Sequence, residues 1–92
     1  MSALILTRPL MRNRLSAEIE NILLKSIING QLVVGEKLPT ERELARDLEV
    51  NRSTVREALG RLESLDLVEI RHGDGVYVKN YQESGSLELI RA

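Results

Sequence analysis

The sequence contains no cysteine, tryptophan or phenylalanine, and its aromatic residues are Tyr77 and Tyr81. Without cysteine there is no disulfide framework, thiolate zinc site or cysteine nucleophile, and the single histidine, His72, cannot form a multi-histidine metal site. No apolar run approaches the ~20 residues of a membrane span, and no segment resembles a signal peptide. We therefore expect a soluble, cytoplasmic chain with an aliphatic core and with no metal, cofactor or membrane partner.

The chain has 92 residues, 13 of them basic and 14 acidic, which gives a formal net charge of −1. Domains usually hold roughly 100–200 residues, so this length accommodates one small core and not the deep pocket of most enzymes. A slightly acidic balance argues at first against a polyanionic partner. Net charge does not describe how charge is distributed on the surface, however, so the question depends on where the basic residues lie.

Helical periodicity marks three segments before residue 66. The first helix is predicted over about 12–29, with Gly30 as its stop, from apolar residues at helical spacing: Leu15, Ile19, Ile22, Leu23 and Ile27. Thr40 and Glu43 form a capping box, which predicts a second helix that ends near Leu48. Asn51 is a good N-cap for a third helix, whose apolar face is Val55, Ala58, Leu59, Leu62 and Leu65.

After Asp66 the period changes toward two. Residues 67–71 and 76–79 are β-prone and flank 72–75, where two glycines and an aspartate favour a turn. The predicted fold is therefore α+β, a small winged helix-turn-helix of three helices and a two-stranded β-hairpin wing.

The start of the third helix carries the side chains that suit DNA. Arg52 and Arg56 are one helical turn apart, and a guanidinium fork can bind guanine O6 and N7 or a phosphate. Ser53 and Thr54 can donate to phosphate oxygens or contact bases. Arg42, in the first turn of the preceding helix, is expected near the same DNA edge. Among the nearby acids, Glu43 belongs to the capping box, whereas the sequence gives no account of the others: Glu41, Asp47 and Glu49.

Four ordered segments together resemble the GntR family of bacterial transcriptional regulators. They are Gly-Glu-Lys-Leu-Pro-Thr-Glu-Arg-Glu-Leu-Ala at 35–45, Val-Asn-Arg-Ser-Thr-Val-Arg-Glu-Ala-Leu at 50–59, Leu-Glu-x3-Leu-Val at 62–68 and Arg-x-Gly-x-Gly-Val-Tyr-Val at 71–78. The resemblance extends over about residues 14–79. One departure is Asn51, where the family more often has Ser or Thr.

The resemblance implies roles and a domain organisation. Arg42, Arg52 and Arg56 match the DNA-contacting arginines of the family, Thr54 matches a recognition-helix contact, and His72 and Gly73 match a wing tip that enters the minor groove. It further implies a C-terminal effector-binding domain, here of FadR-like type. Together with the chain ends, the expected organisation is a leader over residues 1–11, a DNA-binding domain over 12–79, and a linker at 80–92 that begins the missing effector-binding domain. The expected protein is a homodimeric, metabolite-responsive repressor that binds operator DNA and a small-molecule effector.

Two other functions remain as alternatives. Winged-helix domains also serve as protein-interaction modules, although such a module does not need arginines and hydroxyl groups at the start of its third helix. An enzyme is disfavoured because no nucleophile–base pair or phosphate-binding loop is present. The stretch Leu4-Ile5-Leu6 is interpreted as part of a disordered leader, with packing on another domain or subunit as the alternative.

Overall fold

The computed structural model describes the backbone of residues 2–80 and the side chains of residues 11–80. Three helices precede an antiparallel hairpin: α1 (Ser2–Ile28), α2 (Glu41–Leu48), α3 (Arg52–Ser64), β1 (Val68–Arg71) and β2 (Gly75–Val78). This order confirms the predicted α+β winged helix-turn-helix. The predicted linker lies almost wholly outside the described residues. No helix in the described part is long and apolar enough to cross a membrane.

Helix α1 begins at Ser2, so the start predicted near Arg12 is wrong. The backbone of residues 2–11 is thus part of α1. Apolar periodicity identifies only the part of a helix that packs on a core, whereas the backbone ladder can extend beyond that part. The end was predicted well, because Gly30 adopts φ 81° and its amide donates to the Ile27 carbonyl at 3.2 Å.

The core lies between α1, α3 and the wing. Ile19, Leu23 and Ile27 of α1 are buried, and α3 contributes residues that are at most 3% exposed: Val55, Ala58, Leu59 and Leu62. One prediction for α1 is wrong, because Ile22 is 49% exposed. Ser16, which was not predicted to be buried, occupies a core position, with its hydroxyl donating to the Asn13 carbonyl at 3.0 Å. That bond removes the cost of burying a polar group.

The turn between α2 and α3 is short and tightly bonded. Glu49 adopts a left-handed conformation with φ 56°, and the Val50 amide donates to the Ala45 carbonyl at 3.0 Å. Asn51 occupies the N-cap position of α3 as predicted, but its side chain makes no capping hydrogen bond. Its carbonyl accepts from the Thr54 amide at 3.1 Å. The turn thereby fixes α3 relative to α2.

The wing is a regular hairpin that also pairs with the connection before α2. Val68 faces Val78 and Arg71 faces Gly75, so the turn is residues 72–74 and β2 begins one residue earlier than predicted. The extended connection pairs with β2 at two amides, Gly35 to the Val78 carbonyl at 2.8 Å and Leu38 to the Val76 carbonyl at 2.8 Å. This pairing was not predicted, and it attaches the start of α2 to the wing.

Candidate nucleic-acid interface

The starts of α2 and α3 and the wing enclose one side of an open cleft of about 470 Å³. Five of the seven residues predicted as site residues line it: Arg42, Arg52, Arg56, His72 and Gly73. They come from α2, α3 and the wing, and the pairing of residues 35–38 with β2 joins the connection before α2 to the wing. The structure therefore assembles in one place most of the set that the sequence identified.

Arg52 and Arg56 lie on the outer side of the first turns of α3. Their side chains are 61% and 65% exposed, and both place a guanidinium group near the N-terminal end of the helix. The partial positive charge of that helix end adds to theirs and favours an anionic or electron-rich ligand.

Glu41, the first residue of α2, binds both arginines. Its Oε1 accepts from Arg52 Nε at 3.2 Å and from Arg56 Nη2 at 2.8 Å, and its Oε2 accepts from Arg56 Nε at 2.9 Å. The Glu41 side chain is only 22% exposed. These contacts join α2 to α3 across the cleft and account for an acidic residue that the sequence did not explain.

The same contacts set the ionisation of Glu41. The hydrogen bond from Arg56 lowers the pKa of Glu41 below its ordinary value, partial burial opposes that shift, and the charge of Arg56 and the contacts of Arg52 reinforce it. Reciprocally, the hydrogen bond to Glu41 raises the pKa of Arg56. Glu41 and Arg56 are therefore both charged at neutral pH.

The capping box places Arg42 at the cleft. The Thr40 hydroxyl accepts from the Glu43 amide at 3.0 Å, and the Glu43 carboxylate accepts from the Thr40 amide at 2.9 Å. The hydrogen bond from the Thr40 amide is the main cause that lowers the pKa of the Glu43 carboxylate. Because the box fixes the first turn of α2, the exposed Arg42 leaves that turn in a defined direction.

Ser53 and Thr54, the remaining two predicted site residues, occupy different environments. Ser53 is exposed beside the two arginines, whereas Thr54 is only 2% exposed. Ser53 therefore offers far more surface to a ligand than Thr54 does, and the contact predicted for Thr54 stays a prediction.

At the wing tip His72 and Gly73 are exposed, and Gly73 adopts φ 78°. Behind the tip, the Tyr77 hydroxyl donates to Asp74 at 2.9 Å, and the Arg71 guanidinium stacks on the Tyr77 ring at 4.1 Å. The Tyr77 ring thus packs against the guanidinium of Arg71, which lines the cleft.

The sequence did not assign four charged residues to this cleft: Lys37, Glu41, Arg71 and Asp74. Lys37 lies 3.5 Å from Asp74, and Arg71 is the last residue of β1. Arg71 directly precedes the predicted turn and Lys37 lies shortly before the predicted capping box, so their positions in the sequence could have indicated that both cations belong to the site. The described residues contain no cluster of acidic residues and histidine that could hold a metal ion.

The fold and the cleft define a winged helix-turn-helix protein with five basic residues lining the cleft between the two helices of the motif and the wing. A family model described as bacterial regulatory proteins, gntR family, matches residues 15–78, and the chain belongs to that family. This is a family of regulators and not of enzymes.

Curated relatives are regulators as well. The chain is 37% identical over 83 residues to the HTH-type transcriptional regulator Mce2R of Mycobacterium tuberculosis, which covers 90% of this chain and 35% of that protein. It is 48% identical over 62 residues to the Uxu operon transcriptional regulator of Escherichia coli, covering 67% of this chain and 23% of that protein. The chain thus spans about a third or less of these relatives.

Solved structures share the fold. A GntR family transcriptional regulator from Listeria monocytogenes matches with a TM-score of 0.68 and 26% identity, over 83% of this chain and 73% of that one. AraR(DBD) in complex with operator ORX1 matches with a TM-score of 0.68 and 33% identity, over 70% of this chain and 77% of that one.

Proposed function

We propose that residues 12–79 bind double-stranded operator DNA in a sequence-specific manner, with the start of α3 in the major groove and the wing tip at the minor groove. The observation that carries the proposal is the convergence of five basic side chains on one cleft: Lys37, Arg42, Arg52, Arg56 and Arg71. A chain of net charge −1 that concentrates cations in this way has a surface suited to a polyanion.

The similarity to AraR(DBD), which is bound to an operator, supports the same assignment. Within the cleft, Arg52, Ser53 and Arg56 are proposed to face the major groove, Arg42 a phosphate, and His72 and Gly73 the minor groove. The alternative of a protein-interaction module is disfavoured because it does not require five cations around one cleft.

The proposal extends to the whole protein. Helix-turn-helix regulators commonly use two recognition helices on half-sites ~34–36 Å apart. We propose that the full-length protein is a cytoplasmic homodimer and a repressor, and that a further domain after residue 80 binds a small-molecule effector that controls DNA affinity. The 92-residue chain alone is expected to bind weakly, since a single half-site contact lacks the gain of a linked second site.

The test is selection of bound sequences from random duplex DNA by the 92-residue chain fused to an unrelated dimeriser. A defined half-site is expected, with log affinity that falls linearly with log salt. Recovery of no preferred sequence would overturn the proposal.

The variants Arg52→Ala and Arg56→Ala should each weaken binding to the selected site by roughly 1–3 kcal/mol, with unchanged circular dichroism. Arg14→Ala is the matched control, because Arg14 lies on α1, is 82% exposed and pairs with Glu18 away from the cleft. Equal effects of all three substitutions would contradict the assignment of α3.

A further inference from the structure

The proposed interface contains one feature that DNA binding alone does not explain, the carboxylate of Glu41. It contacts both Arg52 and Arg56 and is largely shielded from solvent. A carboxylate at this position repels phosphates, and it reduces the summed charge of Glu41, Arg52 and Arg56 to +1, from the +2 of the two arginines alone. An interface built only for phosphate attraction would be stronger without it.

The donor geometry shows what the carboxylate leaves available. A guanidinium has five N–H donors. Arg56 gives one hydrogen from Nε and one from Nη2 to Glu41, which occupies one edge of its fork. The other edge, formed by Nη1 and the second hydrogen of Nη2, has no hydrogen-bond partner within residues 11–80. Arg52 gives only Nε to Glu41 and keeps both terminal nitrogens.

Long arginine side chains otherwise sample many rotamers, and fixing them on binding costs conformational entropy. Here the carboxylate holds both side chains in one arrangement before any ligand arrives. A fixed fork accepts a ligand only where two acceptors have the matching spacing and direction. Guanine offers such a pair in O6 and N7, whereas other bases do not.

We propose that Glu41 is a positioning residue that determines base specificity, holding the Arg52 and Arg56 guanidinium groups so that their remaining donors meet guanine edges in the major groove. This inference rests on the proposed DNA-binding function. In this role Glu41 increases the preference for guanine over other bases and lowers the sequence-independent affinity for DNA.

The position of Glu41 allows its carboxylate to be tested apart from the fold. The capping box that starts α2 uses Thr40 and Glu43, so it remains intact when Glu41 changes. Asp47 provides a matched control on the same helix, because Asp47→Asn also removes one negative charge but disturbs only the exposed pair with Arg46.

The experiment compares wild type, Glu41→Gln and Asp47→Asn, each fused to the same dimeriser. The probes are the duplex selected by wild type and the same duplex with each guanine pair replaced. Glu41→Gln is expected to lower the ratio of the two affinities about tenfold, part of the discrimination that bidentate arginine–guanine contacts supply. Affinity for random duplex should hold or rise, since a repulsive charge is gone. Asp47→Asn should leave the ratio unchanged.

A second measurement follows the arginines themselves. In wild type, the Nε–H signals of Arg52 and Arg56 should be separate and protected from exchange in NMR spectra, and Glu41→Gln should collapse them toward the signal of an exposed arginine. Wild-type discrimination in a folded Glu41→Gln variant, an equal loss in Asp47→Asn, or unprotected signals in wild type would each overturn the role of Glu41. A wild type that selects no sequence would overturn the proposed function, and this inference with it.

Discussion

Gly60 and Gly73 offer the same substitution in opposite backbone settings. Gly60 lies inside α3, where the backbone is helical, whereas Gly73 at the wing tip has φ 78°. A Cβ placed on either residue would meet no heavy atom within 4 Å outside its immediate neighbours. Neither change to alanine therefore causes a clash, and backbone conformation alone decides the sign of its effect on stability.

The magnitudes follow from that difference. Gly60→Ala should raise the free energy of unfolding by about 0.5–1 kcal/mol, because alanine restricts the unfolded chain and suits a helix. Gly73→Ala should lower it by about 1–2 kcal/mol, because the left-handed conformation brings Cβ too close to the following carbonyl oxygen. For a domain of this size, 1 kcal/mol corresponds to a shift in Tm of roughly 4–8 °C.

The assay is urea and thermal unfolding of the 92-residue chain, followed by far-ultraviolet circular dichroism. Both variants should keep the wild-type dependence on urea, so that midpoints report stability directly. If the two substitutions shift the midpoint in the same direction, the backbone assignment of the wing tip or of α3 is wrong.

Three further predictions concern single side chains. Ser53→Ala should weaken binding to the selected duplex by about 1 kcal/mol, whereas Thr54→Val should leave it unchanged, because only Ser53 is exposed; affinities in the reverse order would refute the placement. Hydrogen bonds lower the pKa of Glu43 in the folded state, so its carboxylate stabilises the fold fully above the ordinary pKa of 4.5 and loses that effect as pH falls through the lowered folded value. Glu43→Gln should therefore have a lower free energy of unfolding than wild type at neutral pH, and the difference should vanish in acid unfolding curves. Gly73→Val should weaken duplex binding more than His72→Ala, because a β-branched residue resists positive φ and adds bulk at the tip, and equal affinities measured at fixed salt would argue against docking of the wing.

Local rules predicted much of this fold because several elements carry their own signals. The capping box at Thr40 and the glycine at residue 30 act within one turn of chain, and both have the predicted geometry. The placement of Thr54 was also available from the sequence. It lies four residues before the buried Ala58 and so shares its face of α3, yet its polar character favoured the opposite interpretation.

Contacts between distant segments could not be predicted in the same way. Glu41 is 11 residues from Arg52 and 15 from Arg56, and their pairing depends on the angle at which α2 meets α3. The pairing of Lys37 with Tyr77 likewise depends on how the core positions the wing. Periodicity identifies which side of an element faces the core, but it contains no information on which surface residues then become neighbours.

The acidic net charge and the basic cleft are compatible because the fold separates the charges. The cleft is lined by five basic residues and two acidic ones, Glu41 and Asp74, which leaves 8 of 13 basic and 12 of 14 acidic residues elsewhere in the chain. Both cleft carboxylates contact cations of the same cleft, Glu41 the two arginines of α3 and Asp74 the Nζ of Lys37. Those acids therefore orient cations at the site, while the acids outside it disfavour contact of polyanions with the other faces. A surface arranged in this way has weak general attraction to DNA, and its affinity must come from the geometry of a few fixed donors, which is the condition under which a small interface can discriminate between sequences.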